Sequence, residues 1–257
     1  MNELTISLVQ TDLVWENPEA NLNQLNTMLD SIRRTDIIIL PELFTTGFTM
    51  RCNGFAETMN GFTIHWMKEV ATSKNAAVCG SIIIQEGTCF YNRFLFVTPD
   101  NVYSYDKHHL FSIASEDKFY SKGSQRVIIN YRNWRIMPLI CYDIRFPVWS
   151  RNRNDYDMLI YVASWPASRR KIWDALVRAR ALENQCVVAA VNRVGVDGAY
   201  IYYNGGTQLI DARGDTIAMA RDNHEEIFTT TLDKQKLDSF REKFPVWKDA
   251  DPYYFNV

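Results

Sequence analysis

Apolar residues recur along this chain with two different periods. Leu4-Thr5-Ile6-Ser7-Leu8-Val9 alternates as a strand does, and residues 19–34 then place Leu22, Leu25, Met28, Leu29 and Ile32 on one helical face. A short apolar strand is expected at 36–40, and a second helix at 60–74 with Ile64, Met67 and Val70 turned inward. Further strands are expected at 77–84, 90–97, 102–105, 127–131 and 135–140, then at 158–163, 187–191, 207–210 and 216–220. Residues 171–185 predict a helix packed through Ile172, Leu176, Ala179 and Leu182, and a last helix is expected near 234–243. Strands first alternate with helices and later come in hairpin pairs, one of them turning at 211–215. That order predicts an α/β domain rather than a helical bundle. Pro138 lacks a ladder donor, so its strand should run along an edge or carry a bulge.

Three of the predicted strands end on groups that can carry chemistry. Cys141 follows Ile136-Met137-Pro138-Leu139-Ile140 and precedes Tyr142-Asp143-Ile144-Arg145-Phe146-Pro147, so its sulfur should sit at a strand's C-terminal edge. Open α/β sheets usually place their chemistry at that edge. The turn that follows offers backbone N–H groups to negative charge. Glu42 stands after strand 36–40 and Pro41, and Lys107 closes the strand at 102–105. A charge immediately after an apolar strand is costly to bury unless it is paired. An acid, an ammonium and a thiol can share one pocket if their strands lie side by side.

Composition narrows the class. With 257 residues, 47% of them hydrophobic, residues 1–257 can fold around one large core as a single domain. The aromatic tail from about residue 244, Phe244-Pro245-Val246-Trp247 through Tyr253-Tyr254-Phe255, is too apolar to hang free in water. It should dock on a neighbouring subunit or on its own body. A formal net charge of −2 creates no global field for nucleic acid or an acidic membrane. Met1-Asn2-Glu3 leads directly into a strand, with no charged-then-apolar leader, and no apolar run nears the roughly 18 residues of a membrane span. The five cysteines are odd in number and lack CxxC or CxxH spacing. A reduced, cytoplasmic setting is therefore expected, with no disulfide framework, structural metal or cofactor. His108 and His109 read as hydrogen-bonding scaffold, and Asp143 as a turn or capping acid.

Taken together, Pro41-Glu42, Lys107-His108-His109-Leu110-Phe111 and Ile140-Cys141-Tyr142-Asp143 resemble the three signature blocks of the carbon–nitrogen hydrolase (nitrilase) superfamily. The spacings of 65 and 34 residues suit that order, as do Glu116, Gly123 and Arg180-Ala181-Leu182-Glu183-Asn184. Pro41 to Phe48 and Cys141 to Pro147 are most similar to the omega-amidase branch. The Met137-Pro138 pair departs from many members, which carry a small residue there. The resemblance implies a four-layer α-β-β-α sandwich and a homodimer or higher homo-oligomer. It also implies a metal-independent amidase in which Cys141 attacks an amide, Glu42 moves the proton, and Lys107 with the Tyr142 N–H holds the oxyanion. Glu116 would keep the lysine charged.

The implied substrate is the ω-amide of 2-oxoglutaramate or 2-oxosuccinamate, giving the acid and ammonia. Its second carboxylate calls for a guanidinium, which grips carboxylates bidentately. Arg145, Arg169 and Arg193 follow predicted strand ends, with Arg169 favoured because its loop could fold over the pocket. Phe44, Trp165 and Tyr142 are expected to wall the site. N-carbamoyl amino acids, aliphatic amides and nitriles would use the same three reactive groups. A non-catalytic binding protein or a thiol redox sensor built on Cys141 are the readings from other classes.

Overall fold

The computed structural model describes residues 2–254. The first half of the chain runs β1 (Glu3–Gln10), α1 (Pro18–Leu29), β2 (Ile37–Ile39), α2 (Cys52–Phe55), α3 (Phe62–Lys74), β3 (Ala77–Glu86), β4 (Cys89–Val97) and β5 (Val102–Asp106). The middle runs β6 (Ile129–Tyr131), β7 (Trp134–Ile140), α4 (Pro147–Ser150), β8 (Met158–Ala163) and α5 (Arg170–Asn184). The last part runs β9 (Val187–Asn192), β10 (Val194–Val196), β11 (Tyr202–Asn204), β12 (Gln208–Ile210), β13 (Thr216–Met219), β14 (Glu226–Asp233) and α6 (Lys234–Lys243).

Two six-stranded sheets result, in the orders β14-β1-β2-β3-β4-β5 and β13-β12-β9-β8-β7-β6. Each holds a parallel trio, β1-β2-β3 in one and β7-β8-β9 in the other. Ile37, Ile38 and Ile39 explain the layering. All three are fully buried. Ile37 and Ile39 join Leu4, Ile6, Leu8, Phe94 and Phe96 in the core shared with the second sheet, which supplies Met137 and Leu139. Ile38 points the other way, into Leu22 and Leu25 of α1 and Ile64 and Met67 of α3. Burying such side chains on both faces, at about 1.5–3 kcal/mol each, is what seats a short parallel strand between two layers. α5 covers the second sheet through Trp173, Val177 and Ala181. The architecture is the expected α-β-β-α sandwich.

Several local expectations need correction. α1 ends at Leu29, short of Arg34, because Ser31 and Ile32 turn back to bond Met28 and Leu29. α5 packs only partly through its expected stripe: Leu176 reaches the core, but Ile172 and Leu182 are exposed, and Trp173, Val177 and Ala181 face the sheet. β14, which pairs along the whole of β1, was not expected from the pattern. Its Thr229-Thr230-Thr231 run faces an edge, where Thr229 and Thr231 hydroxyls bond those of Ser7 and Thr5. The Pro138 expectation is met as a local edge. Pairing with β6 stops at Ile136, whereas β8 continues past Pro138 in unbroken register.

Candidate active site

Four strands of the two sheets end at the same place. Leu40-Pro41-Glu42 follows β2, Lys107 follows β5, Cys141 follows β7 and Ser164 follows β8. Lys107 Nζ donates to Glu42 Oε1 at 2.8 Å and to both Glu116 oxygens at 3.0 Å. All three side chains are fully buried. Asn92, projecting from β4, donates to Glu42 at 2.9 Å and to Glu116 at 3.3 Å. Glu42 Oε2 takes the Ser164 N–H at 2.8 Å, tying the carboxylate of one sheet to the backbone of the other. Glu116 lies on a short helical turn, where it also accepts the Phe111 N–H.

Buried charges of this kind persist only when paired and hydrogen-bonded. Burial alone would push the Lys107 ammonium toward neutrality, but Glu116 and Glu42 outweigh it and hold its pKa above the ordinary value. Burial raises the Glu116 pKa, with Lys107 opposing and Glu42 adding to the rise. Burial also pushes the Cys141 thiol well up, and the Glu42 charge adds to this, while Lys107 and the Ser164 N–H pull the other way. The resting sulfur is therefore a thiol with a carboxylate beside it and an ammonium close by.

The turn that presents the sulfur is locked from below. Cys141 has φ of +44°, a left-handed conformation that costs a non-glycine residue about 1–3 kcal/mol. Asp143 holds it there by accepting from the Ile140 N–H (3.0 Å), the Tyr105 hydroxyl (2.8 Å), and the His109 N–H (2.9 Å) and Nδ1 (2.8 Å). Arg180 on α5 donates to the Ile144 carbonyl in the same turn. His109 stacks on Phe146 and His108 on Trp149, so both imidazoles are scaffold. Gly123 lets another segment lie flat on Lys107: its N–H bonds the Lys107 carbonyl at 2.9 Å, and a Cβ there would meet the Asp106 carbonyl oxygen at 2.1 Å.

A cavity of about 290 Å³ opens over Cys141, Glu42 and Lys107. Tyr142, Trp165 and Arg169 line it, as does Arg145. Phe44 does not. It is fully buried in the outer core with Trp66 and Leu40, because the chain after Glu42 turns under α3 rather than along the pocket. Arg193 is also excluded: its guanidinium is buried against Asp12, 2.8 Å away, and over the Tyr203 ring. Trp15, Phe48, Phe111 and Tyr203 form further walls that no local pattern groups, since they come from four separate loops and strands. Asn92 and Ser164 were missed as well. An asparagine inside an apolar strand was the available signal for the first.

A family model for carbon-nitrogen hydrolases matches residues 5–242. The chain belongs to the carbon-nitrogen hydrolase family. Within it, this hydrolase falls on the omega-amidase-like branch. It is 45% identical to an omega-amidase, YafV, of Escherichia coli over 98% of this chain and 99% of the relative. It is 31% identical to a 2-oxoglutaramate amidase of Bacillus subtilis over 95% and 96%. Among solved structures it superposes with TM-score 0.97 and 39% identity, over the whole of both chains, on XC1258 of Xanthomonas campestris. That structure is of a CN-hydrolase superfamily protein with an arsenic adduct in its active site.

Elsewhere in this hydrolase, a larger groove of about 710 Å³ lies between α6 and the β12–β13 turn, near Trp134 at the opposite end of β7 from Cys141. Among the described residues no group of three or more His, Cys, Asp or Glu is placed to hold a metal ion, and no helix is long and apolar enough to cross a membrane. Of the aromatic tail, Tyr253 folds back on its own body, its hydroxyl on the Arg151 carbonyl and its ring under Arg153. Tyr254 is exposed, and Phe255 lies outside the described residues.

Proposed function

We propose that this carbon–nitrogen hydrolase cleaves the ω-amide of a small 2-oxo diacid, 2-oxoglutaramate or 2-oxosuccinamate, through a thioester on Cys141. The observation that carries this reading is the buried Glu42–Lys107–Glu116 cluster beside a thiol held at a strand end. Glu42 takes the thiol proton as sulfur attacks the amide carbonyl, then gives a proton to the departing ammonia. The Lys107 ammonium and the Tyr142 N–H receive the oxyanion, a contribution of about 3–4 kcal/mol per donor in a dry site. Glu116 keeps Lys107 charged and fixed. Water activated by Glu42 then releases the acid.

Trp165 and the Tyr142 ring exclude solvent, and Arg169 receives the far carboxylate. The relatives named for omega-amides and for 2-oxoglutaramate support this substrate class. A homo-oligomeric, cytoplasmic enzyme fits the same reading. The test is a substrate panel of 2-oxoglutaramate, an N-carbamoyl amino acid, an aliphatic amide and a nitrile, with ammonia and carbon dioxide both measured. The reading requires ammonia from 2-oxoglutaramate in preference to the others. Activity confined to another member of the panel refutes the substrate assignment.

A further inference from the structure

The cavity carries two cations that no acid among the described residues neutralises. Arginines elsewhere that are buried or half-buried have acids: Arg93 has Asp106, Arg170 has Asp174 and Arg193 has Asp12. Arg145 and Arg169 line the cavity, and among the described residues neither guanidinium has an acidic partner. Each rests over a ring instead, Arg145 over Trp165 at 5.1 Å and Arg169 over Phe111 at 5.2 Å. Trp165 touches both arginines. Its face carries the Arg145 guanidinium, and its indole N–H donates to the Arg169 carbonyl at 2.9 Å. The Trp165 backbone is held in turn by Asn192, whose side chain accepts the Trp165 main-chain N–H at 2.7 Å and donates to its carbonyl at 2.9 Å.

We propose that Arg145 and Arg169 act as a paired subsite that selects a 2-oxo carboxylate over a 2-ammonio carboxylate, with Trp165 as the positioning residue that sets their spacing. This rests on the amidase reading above. One guanidinium grips the carboxylate bidentately, and the second donates to the neighbouring oxo oxygen. An α-amino acid amide such as glutamine would present an ammonium where the second guanidinium expects an acceptor. In a mostly apolar cavity that like-charge contact is poorly screened. Asp197 is the other acid on the wall away from Glu42, and it is committed. It accepts the Ala199 and Ile201 N–H groups at 2.8 and 2.9 Å and the Tyr203 hydroxyl at 2.8 Å. These bonds commit it to holding its own loop and the Tyr203 hydroxyl.

The experiment compares kcat/KM for 2-oxoglutaramate, L-glutamine and uncharged pentanamide in the full-length wild type and in Arg145→Gln, Arg169→Gln, Arg145→Lys and Trp165→Phe. Melting curves check folding, and both arginines are partly exposed, so their replacement leaves the core intact. Each glutamine variant should lose roughly 10- to 100-fold for 2-oxoglutaramate, mainly through KM, and much less for pentanamide. The preference for 2-oxoglutaramate over L-glutamine should fall in both. Arg145→Lys keeps the charge and should retain the rejection of L-glutamine. Trp165→Phe, which removes the indole N–H that holds the Arg169 carbonyl, should raise KM for the 2-oxo amide more than it lowers kcat, and should weaken the preference over L-glutamine. If one arginine variant abolishes the preference and the other leaves it intact, there is a single carboxylate anchor and the pair is refuted. A wild type that is active on 2-oxoglutaramate but does not discriminate against L-glutamine refutes the pair alone. A wild type inactive on 2-oxoglutaramate overturns the substrate reading and the pair together.

Discussion

Replacing Glu42 with glutamine should slow turnover while making the Cys141 sulfur easier to ionise. The carboxylate accepts from Lys107, Asn92 and the Ser164 N–H while standing beside the Cys141 sulfur. Glutamine keeps one acceptor oxygen but turns an NH2 toward one set of these donors. One charge-assisted bond is then lost, at about 1.5–3 kcal/mol. For a domain of this size that lowers Tm by about 3–12 °C, well short of unfolding. The remaining Lys107–Glu116 pair is neutral and still hydrogen-bonded, so the site should stay assembled. Loss of the general base should cost about 10²- to 10⁴-fold in kcat, or about 3–5 kcal/mol of barrier. The sulfur should ionise more readily. Burial is the main reason its pKa is high, but the Glu42 charge adds to it. Removing that charge should lower the pKa. The assay is ammonia release together with the pH dependence of iodoacetamide alkylation, followed at Cys141 by peptide mass. The reasoning predicts a nearly inactive enzyme whose alkylation midpoint moves to lower pH. A midpoint that stays put or rises would refute the placement of the carboxylate against the sulfur.

Glu116→Gln removes one of the two charges that hold Lys107 protonated against burial, so the lysine pKa should drop and the alkaline limb of the pH–rate profile should move to lower pH. Gly123→Ala puts a methyl group against the Asp106 carbonyl, displacing Lys107; kcat should fall on the order of 10²-fold, measured with Tm on the same sample. Far from the site, Asp157 is buried among Arg135, Arg241 and Lys234. Burial opposes its ionisation, but the Arg135 hydrogen bonds and the Lys234 charge win, and its pKa is lowered. A lowered carboxylate pKa stabilises the fold above the unfolded value near 3.9, and that stability is lost as pH falls through the folded value. Asp157→Asn should therefore destabilise the fold at neutral pH, and thermal melts should show the difference from wild type narrowing as pH falls below about 4.

Much of this fold can be read along the chain because its layers are written in local periodicity. Ile37-Ile38-Ile39 announces a short buried strand, and α3 shows its inner face through Ile64 and Met67. The strand-end positions of Glu42, Lys107 and Cys141 are legible for the same reason, since an apolar run must stop where a charge or a reactive group begins. What brings them together is not local: Lys107 meets Glu42 across 65 residues, and Ser164 meets it across 122. Phe44 misled because an aromatic two residues after an acid can turn either way, and α3 offers it an apolar seat. α5 misled because it has two apolar stripes, and only contact with the sheet decides which is buried. β14 escaped notice because its threonines answer hydroxyls on β1 rather than an apolar layer. Trp15 and Tyr203 become neighbours of the sulfur only after both sheets are stacked.

The most direct measurement is ammonia release from 2-oxoglutaramate by Cys141→Ala, with a melting curve to establish that it folds as wild type does. The account predicts a folded protein with no turnover above background. A folded variant that hydrolyses at the wild-type rate would contradict it, because then the sulfur beside Glu42 and Lys107 takes no part in breaking the bond.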